Sequence, residues 1–204
     1  LKGGSWTYPI WQAIDRHQGE LFDGAFAWAA DRFDTASGGE SNLVNGAYVS
    51  GSMFNVLGVN AARGRMLSAI DDAAGTPSPV AVISQRLWQQ QFGESDDAIG
   101  RTIALQRVPF TIVGVMPAGF NGPDVGRTTD VMIPFAAEPL IRKSGSMLAG
   151  RWTWWIDVMA RLRPGQSIGE ATATLRAIQP QIRAESIAQE GSPTMLKRFL
   201  AEPF

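Results

Sequence analysis

The chain has 204 residues, 18 basic and 19 acidic side chains for a net charge of -1, and no cysteine. That length makes one large domain or two small ones, able to bury roughly 70% of the surface the unfolded chain exposes. A composition 45% hydrophobic and 18% charged argues against disorder. The missing cysteines remove disulfides, thiolate catalysis, zinc ribbons and iron–sulfur sites, and the scattered basic residues argue against nucleic-acid binding, which needs a clustered basic surface.

In chain order, residues 8–17 read as a short helix. Pro9 sits in the first turn, where a missing N–H costs nothing, and Ile10, Trp11 and Ile14 make an apolar stripe. Residues 25–34 read as a strand with Phe26, Trp28 and Ala30 alternating against Ala27 and Ala29. The stretch 35–42 is a turn and residues 43–49 a second strand, so the two form a hairpin. A short helix over 50–57 follows, with Ser50 or Ser52 to cap it and Gly58 to end it. Residues 80–83 form a buried strand. Ser84 caps a helix running to Phe92, with Gly93 as its stop. Residues 101–106 and 109–116 form another hairpin, and residues 131–135 a short strand. Residues 139–151 follow no single pattern.

Residues 153–162 read as a strand, with Ile156, Val158, Ala160 and Leu162 on one face. Arg163-Pro164-Gly165 suits a type II turn. Residues 167–183 are the clearest helix: Ser167 and Glu170 fit a capping box, and Ile168, Ala171, Leu175, Ile178 and Ile182 recur at three- and four-residue intervals. Pro180 predicts a kink or an end near residues 177–179.

Reactive chemistry is hard to find. His17 is the single histidine and reads as an ordinary helix or surface residue, because a serine triad would also need a placed Ser and acid, and no G-x-S-x-G elbow is present. Residues 145–151 have the glycine spacing of a phosphate loop, but Arg151 and Trp152 stand where Lys and Ser or Thr are required, so no nucleotide site is expected. Asp71–Asp72 and Asp96–Asp97 read as solvated turn or capping residues, without the alternating ligands of a calcium loop. No catalytic, cofactor or metal residues are assigned. Trp152, Trp154 and Trp155 have two readings: core packing of large aromatics, or an exposed patch that contacts a partner or an apolar ligand. On a strand, Trp152 and Trp154 share one face and Trp155 takes the other.

An ordered set of short segments spans residues 49–134: Val49-Ser50-Gly51-Ser52-Met53-Phe54, Leu57-Gly58-Val59, Arg63-Gly64-Arg65, Val80-Ala81-Val82-Ile83-Ser84, Leu87-Trp88, Gln91-Phe92-Gly93, Ile99-Gly100-Arg101-Thr102, Val108 to Val115, Asp130-Val131 and Ile133-Pro134. Together they resemble the extracytoplasmic core domain of MacB-like, FtsX-like ABC transporter permeases, in particular the orphan permeases without an ATPase of their own. Gly58 and Gly64 suit tight turns, and Gly114, inside a strand, suits a bulge or a close backbone approach. Gln106-Arg107 departs from the Asn-Gly common in the family, which leaves the turn type open.

The resemblance implies an α+β, two-lobed periplasmic domain: one extracytoplasmic core domain over 1–204, with a βαβ-type porter-like lobe (1–49 plus 135–204) and an inserted smaller mixed α/β lobe (50–134). It implies a non-enzymatic role, without cofactors, coupling ATP-driven motion of membrane helices to export. Its partners would be transmembrane helices of the same permease chain, a separate or fused ABC ATPase, a periplasmic adaptor protein, and a second copy in the full-length dimer. The alternative is a lipid or apolar-ligand binding module of a lipoprotein-release-type permease. A hydrolase with an unrecognised site is a third class, without motif support. No apolar run approaches the ~20 residues that span a bilayer. A start without Met and an abrupt end read as a piece of something larger, as expected of a domain held between two membrane helices.

Overall fold

The computed structural model describes residues 6–36, 38 and 40–186. The turn expected over 35–42 therefore lies partly outside the described residues. Among them are five α-helices and eight strands in a mixed α/β arrangement. The chain forms two compact units, one from residues 1–25 with 147–204 and the other from Phe26–Ser146.

In the first unit, α1 (Tyr8–Leu21) starts where Thr7 Oγ1 accepts the Ile10 N–H. Pro9 lies in its first turn, and it buries Ile10, Trp11 and Ile14. It runs a turn beyond the helix expected over 8–17, because the pattern continues to Leu21, which is fully buried. The strand β1 (Gly24–Asp34) begins here and continues in the second unit. Beside its start runs β8 (Asp157–Arg161): the Asp23 N–H donates to the Arg161 carbonyl at 2.9 Å. After β8, the Gln166 N–H donates to the Arg163 carbonyl at 2.9 Å and Gly165 sits at φ 80°, which is the expected type II turn.

Helix α5 (Ile168–Ser186) opens with the expected capping box. Ser167 Oγ accepts the Glu170 N–H at 3.2 Å, and Glu170 Oε2 accepts the Ser167 N–H at 2.7 Å. It does not end near residues 177–179, one of the two outcomes expected there, but carries Pro180 inside. A proline removes one ladder hydrogen bond, and here the residues beyond it are held from outside the helix. Ile182 is fully buried, and Glu185 bonds Arg16 and His17 of α1. The apolar stripe is also uneven: Ala171 and Ile182 are buried, Leu175 and Ile178 half-buried, and Ile168 exposed.

In the second unit the strands are ordered β3-β6-β4-β7-β2-β1, with β5 also on β6. Their ranges are β2 (Leu43–Val49), β3 (Arg63–Gly64), β4 (Val80–Ile83), β5 (Thr102–Leu105), β6 (Val108–Val115) and β7 (Val131–Pro134). The hairpins β1–β2 and β5–β6 are antiparallel, as expected. The pairings β2–β7 and β4–β6 are parallel and join strands far apart in sequence. Because β2 pairs with β7, both strands flanking the seams placed at 49/50 and 134/135 fall in this one unit.

Both faces of this sheet are covered, so Ala25 to Ala29 are all buried and the alternation in β1 does not separate core from solvent. On one face Phe26, Trp28, Ala47, Val49 and Met132 pack with Met53 and Phe54 of α2 (Met53–Leu57). On the other, Phe33 meets Tyr48 edge-on with ring centroids 5.5 Å apart, and Tyr48 stacks on Phe135 at 6.4 Å. Gly46 makes room for the Phe33 ring, which occupies the place a Cβ would take.

The short helices obey local rules. Ser84 Oγ accepts the Leu87 N–H at 3.1 Å at the start of α3 (Gln85–Phe92), and Gly93 ends it in the left-handed region. α2 ends the same way at Gly58. Neither candidate serine caps α2 with its side chain, however: Ser52 makes no side-chain capping bond, and Ser50 Oγ instead accepts the Ala27 N–H at 3.0 Å, tying β2 to β1. Residues 138–142, where the pattern was mixed, form α4 (Glu138–Arg142) between two 3-10 turns.

Candidate functional site

The tryptophan segment lies in the first unit, just before β8. The strand expected from residue 153 begins only at Asp157, preceded by an isolated bridge between Ile156 and Trp6. One carbonyl organises the segment: Trp6 O accepts the N–H of both Trp155 and Ile156 at 3.0 Å, so the backbone turns there and cannot continue a ladder. Upstream, the Gly150 N–H donates to Met147 O at 3.0 Å and the Thr153 N–H to Gly150 O at 3.3 Å, two successive tight turns. A Cβ on Gly150 would stand 2.9 Å from Thr153 Cβ and 3.1 Å from Met147 O, so the loop needs a glycine there. Arg151 Nη1 donates to the Ser186 carbonyl at 2.8 Å and ties the loop to the end of α5.

This frame holds the indoles differently. Trp152 and Trp154 are 37% and 46% exposed, and Trp155 is half-buried. The structure thus brings Trp152 and Trp154 to the surface together and turns Trp155 inward, though in a loop and not by strand alternation. Met159 and Ile168 are further exposed apolar side chains of the same unit.

The other sequence candidates have structural places. His17 Nε2 lies 3.0 Å from Glu185 Oε1 and 3.3 Å from Gln181 Nε2, so it joins α1 to α5. With Arg16 also bonded to Glu185, these donors hold that carboxyl at about 2, well below its ordinary 4.5. Asp71 is not the solvated turn residue expected. It is only 4% exposed, chelated by the two terminal guanidinium nitrogens of Arg65 at 2.7 and 2.8 Å and by the Ser68 N–H and hydroxyl. Burial alone would push its carboxyl up, but these donors outweigh burial and hold it below the ordinary value. Asp72 accepts the Gly51 N–H at 3.1 Å and the Ala136 N–H at 2.8 Å. Asp96 and Asp97 lie in a 3-10 turn, with Asp96 paired to Arg63.

Sequence reading missed a buried ionic cluster in the second unit. Glu138 is fully buried and accepts the Ser146 hydroxyl at 2.6 Å. Arg142 bonds Asp31 at 2.7 Å and lies over the Tyr48 ring, whose own burial drives its hydroxyl pKa up. The i, i+4 spacing of Glu138 and Arg142 was the available signal.

Two open cavities lie in the second unit. One, of about 340 Å³, is bordered by Ser84, Arg86, Gln89, Asn121 and Asp130, with Arg86 Nη2 on Asp130 at 2.5 Å. The other, of about 360 Å³, is lined by Asp34, Gln106, Arg107, Val108 and Lys143. Among the described residues no three His, Cys, Asp or Glu side chains gather as a metal centre would require.

Residues 3–178 match the family model for the MacB-like periplasmic core domain. The chain belongs to that family. It is a periplasmic core domain of the kind found in ABC-type transporter permeases, and among the described residues no helix is long and apolar enough to cross a membrane. Pyoverdine export ATP-binding/permease proteins are related in sequence: that of Pseudomonas entomophila is 32% identical over 41% of this chain and 12% of its own length. That of Pseudomonas savastanoi is 40% identical over 33% of this chain and 10% of its own. The matches thus span about a tenth of those relatives.

Solved structures share the fold of this MacB-like domain. The periplasmic region of MacB from Actinobacillus actinomycetemcomitans has a TM-score of 0.64 at 14% identity, covering 89% of this chain and 76% of its own. The extracellular domain of the noncanonic ABC-type transporter YknZ from Gram-positive bacteria has a TM-score of 0.56 at 15% identity, covering 86% and 84%. A domain of a permease protein from Porphyromonas gingivalis has a TM-score of 0.60 at 15% identity, covering 93% and 74%.

Proposed function

We infer that this domain works as the extracytoplasmic, non-catalytic part of an ABC-type export permease, carrying motion of membrane helices, driven by a separate or fused ATPase, to the far side of the membrane. The observation that carries the reading is the family match over residues 3–178. The packing supports it, since transmitting force requires a body that does not deform. Both sheet faces of the second unit are covered, and its loops are braced by Arg65–Asp71, Arg86–Asp130 and Arg142–Asp31. The remaining parts of the reading are a dimeric full-length permease and a periplasmic adaptor as outer partner.

Trp152 and Trp154 are its contact surface. Exposed indoles on a loop fastened at both ends offer large, stiff contact area at little entropic cost. The same exposure supports a second reading, in which they receive a lipid or other apolar ligand.

The deciding experiment is transport by the full-length permease carrying Trp152→Ala and Trp154→Ala, with ATP hydrolysis by its ATPase partner measured in parallel. Export lost while hydrolysis persists is the expected result. Unchanged export would remove the tryptophans from the mechanism. Binding of a lipid analogue to the domain, abolished by the same substitutions, would favour the second reading. The domain itself is expected to bind no nucleotide, and micromolar ATP binding by calorimetry would contradict the non-catalytic assignment.

A further inference from the structure

Four non-glycine residues among those described have left-handed φ: Glu94, Gln106, Arg107 and Lys143. Three of the four line a single cavity of about 360 Å³, completed by Asp34 and Val108. Gln106 and Arg107, at φ 51° and 66°, are the two central residues of the β5–β6 hairpin, the combination a type I′ turn demands. Asn-Gly meets that demand with little strain, whereas long side chains cost roughly 1–2 kcal/mol each there. Lys143, which ends α4 at φ 52° and ψ -123°, occupies a region that glycine alone enters freely. Sparsely populated backbone of this kind persists where the surroundings over-determine it and gathers at sites of function. Here each strained residue delivers a polar side chain to the same hollow.

The charges of the lining are unequal. Arg107 and Lys143 are exposed, and neither makes an ion pair within 4 Å among the described residues. Asp34, the carboxylate of the lining, is already occupied: its Oδ1 accepts the Ala36 N–H at 3.0 Å and the Asn42 N–H at 2.9 Å. The Gln106 backbone is engaged as well, its N–H donating to Asp34 O at 2.9 Å, so the turn is pinned to the end of β1 and the side chains point from a fixed base. Two cations and an amide, held on rigid backbone around a hollow whose one carboxylate, Asp34, is felt by Arg107 but leaves a net positive charge, match a group with several anionic oxygens. A planar guanidinium fork takes two of them and an ammonium a third.

We propose that the cavity at the β5–β6 turn is a binding site for a small oxyanion, a phosphate or carboxylate group, held by Arg107, Lys143 and the Gln106 amide. This site is separate from the tryptophan surface and does not depend on it.

The test is titration of the isotopically labelled 204-residue chain with inorganic phosphate and, separately, with succinate, followed by amide chemical shifts, with chloride at matched ionic strength as control. Saturating shifts centred on Gln106, Arg107, Val108 and Lys143 are expected with one or both anions, and which anion saturates identifies the group. Arg107→Gln and Lys143→Gln should each weaken binding about tenfold or more, as loss of a charge-assisted contact does. The double variant Gln106→Asn with Arg107→Gly relieves the turn, so it should raise the melting temperature while losing the anion. Shifts that never saturate at millimolar anion, that chloride reproduces, or that persist in both charge variants would overturn the proposal.

Discussion

Gly114 is where a single methyl group should do the most damage. In the β4–β6 pairing Ala81 faces Ile112 but Val82 faces Gly114, so Val113 is a bulged residue. The bulge swings β6 against the chain leaving β3: the Arg65 N–H donates to Val113 O at 2.8 Å. A Cβ on Gly114 would overlap the Arg65 carbonyl oxygen outright, standing 2.8 Å from the Arg65 carbonyl carbon and 3.3 Å from Arg63 O. Those atoms are backbone, held by the β3–β6 pairing and by the Arg65–Asp71 bridge, so they cannot rotate aside. Overpacking a core costs about 1–3 kcal/mol, and with rigid neighbours on every side Gly114→Ala should reach about 3 kcal/mol. For a chain of this size that lowers the melting temperature by roughly 6–12 °C. Gly19→Ala is the control, because Gly19 lies inside α1 with nothing within 4 Å of an added methyl, and it should gain up to about 1 kcal/mol from helix propensity. The assay is urea unfolding followed by circular dichroism. A Gly114→Ala protein within about 0.5 kcal/mol of the parent would refute the argument that this backbone approach is rigid.

Ile182→Ala should cost about 2–5 kcal/mol in the same assay, and Leu175→Ala or Ile178→Ala, only half-buried, nearer 1–2 kcal/mol. Equal losses at all three would mean that the stripe of α5 is buried along its whole length. Asp71→Ala should cost about 2–3 kcal/mol, since it removes charged bonds from a buried position, and heat denaturation measures it. The Glu185 carboxyl, lowered to about 2 by His17, Arg16 and Gln181, contributes stability that is complete above about 4.5 and lost as pH falls through about 2. Glu185→Gln should therefore flatten the acid limb of a pH–stability curve between those values, by no more than about 1 kcal/mol because the cluster is partly solvated. Trp152→Ala and Trp154→Ala together should shift stability by less than about 1 kcal/mol, and a larger loss by calorimetry would make the indoles packing residues.

What could be read from the chain was mostly short-range hydrogen bonding. Ser84 with Gly93, Ser167 with Glu170, and Pro164-Gly165 each encode a bond closed within a few residues, and each stands where expected. Gly114 was legible for a related reason, because a glycine inside an apolar strand has few other uses. Features whose partner no local pattern marks were not. The parallel pairing of β2 with β7 leaves no local trace, and Asp71 looked like a turn residue because its partner Arg65 sits in an irregular stretch. The alternation around Trp154 promised a strand, but Trp6 O draws two consecutive amides and ends the ladder at Ile156. The cavity at Gln106 and Lys143 was half visible, as a turn lacking its usual residues, while α4 had to fold before Lys143 could meet it.

The two-unit division also sets an order of events during synthesis. The second unit is one continuous stretch, Phe26–Ser146, and its own strands can pair as soon as that stretch has emerged, with β8 still to come. The first unit cannot, because α1 comes at the beginning and its partner α5 near the end. His17 and Glu185 are 168 residues apart. At translation rates of about 5–20 residues per second, the buried face of α1, with Ile10, Trp11 and Ile14, waits roughly 8–34 seconds for its cover. For that interval the nascent chain is a sheet without its last strand and an uncovered amphipathic helix, a form that invites a chaperone on whichever side of the membrane it is delivered.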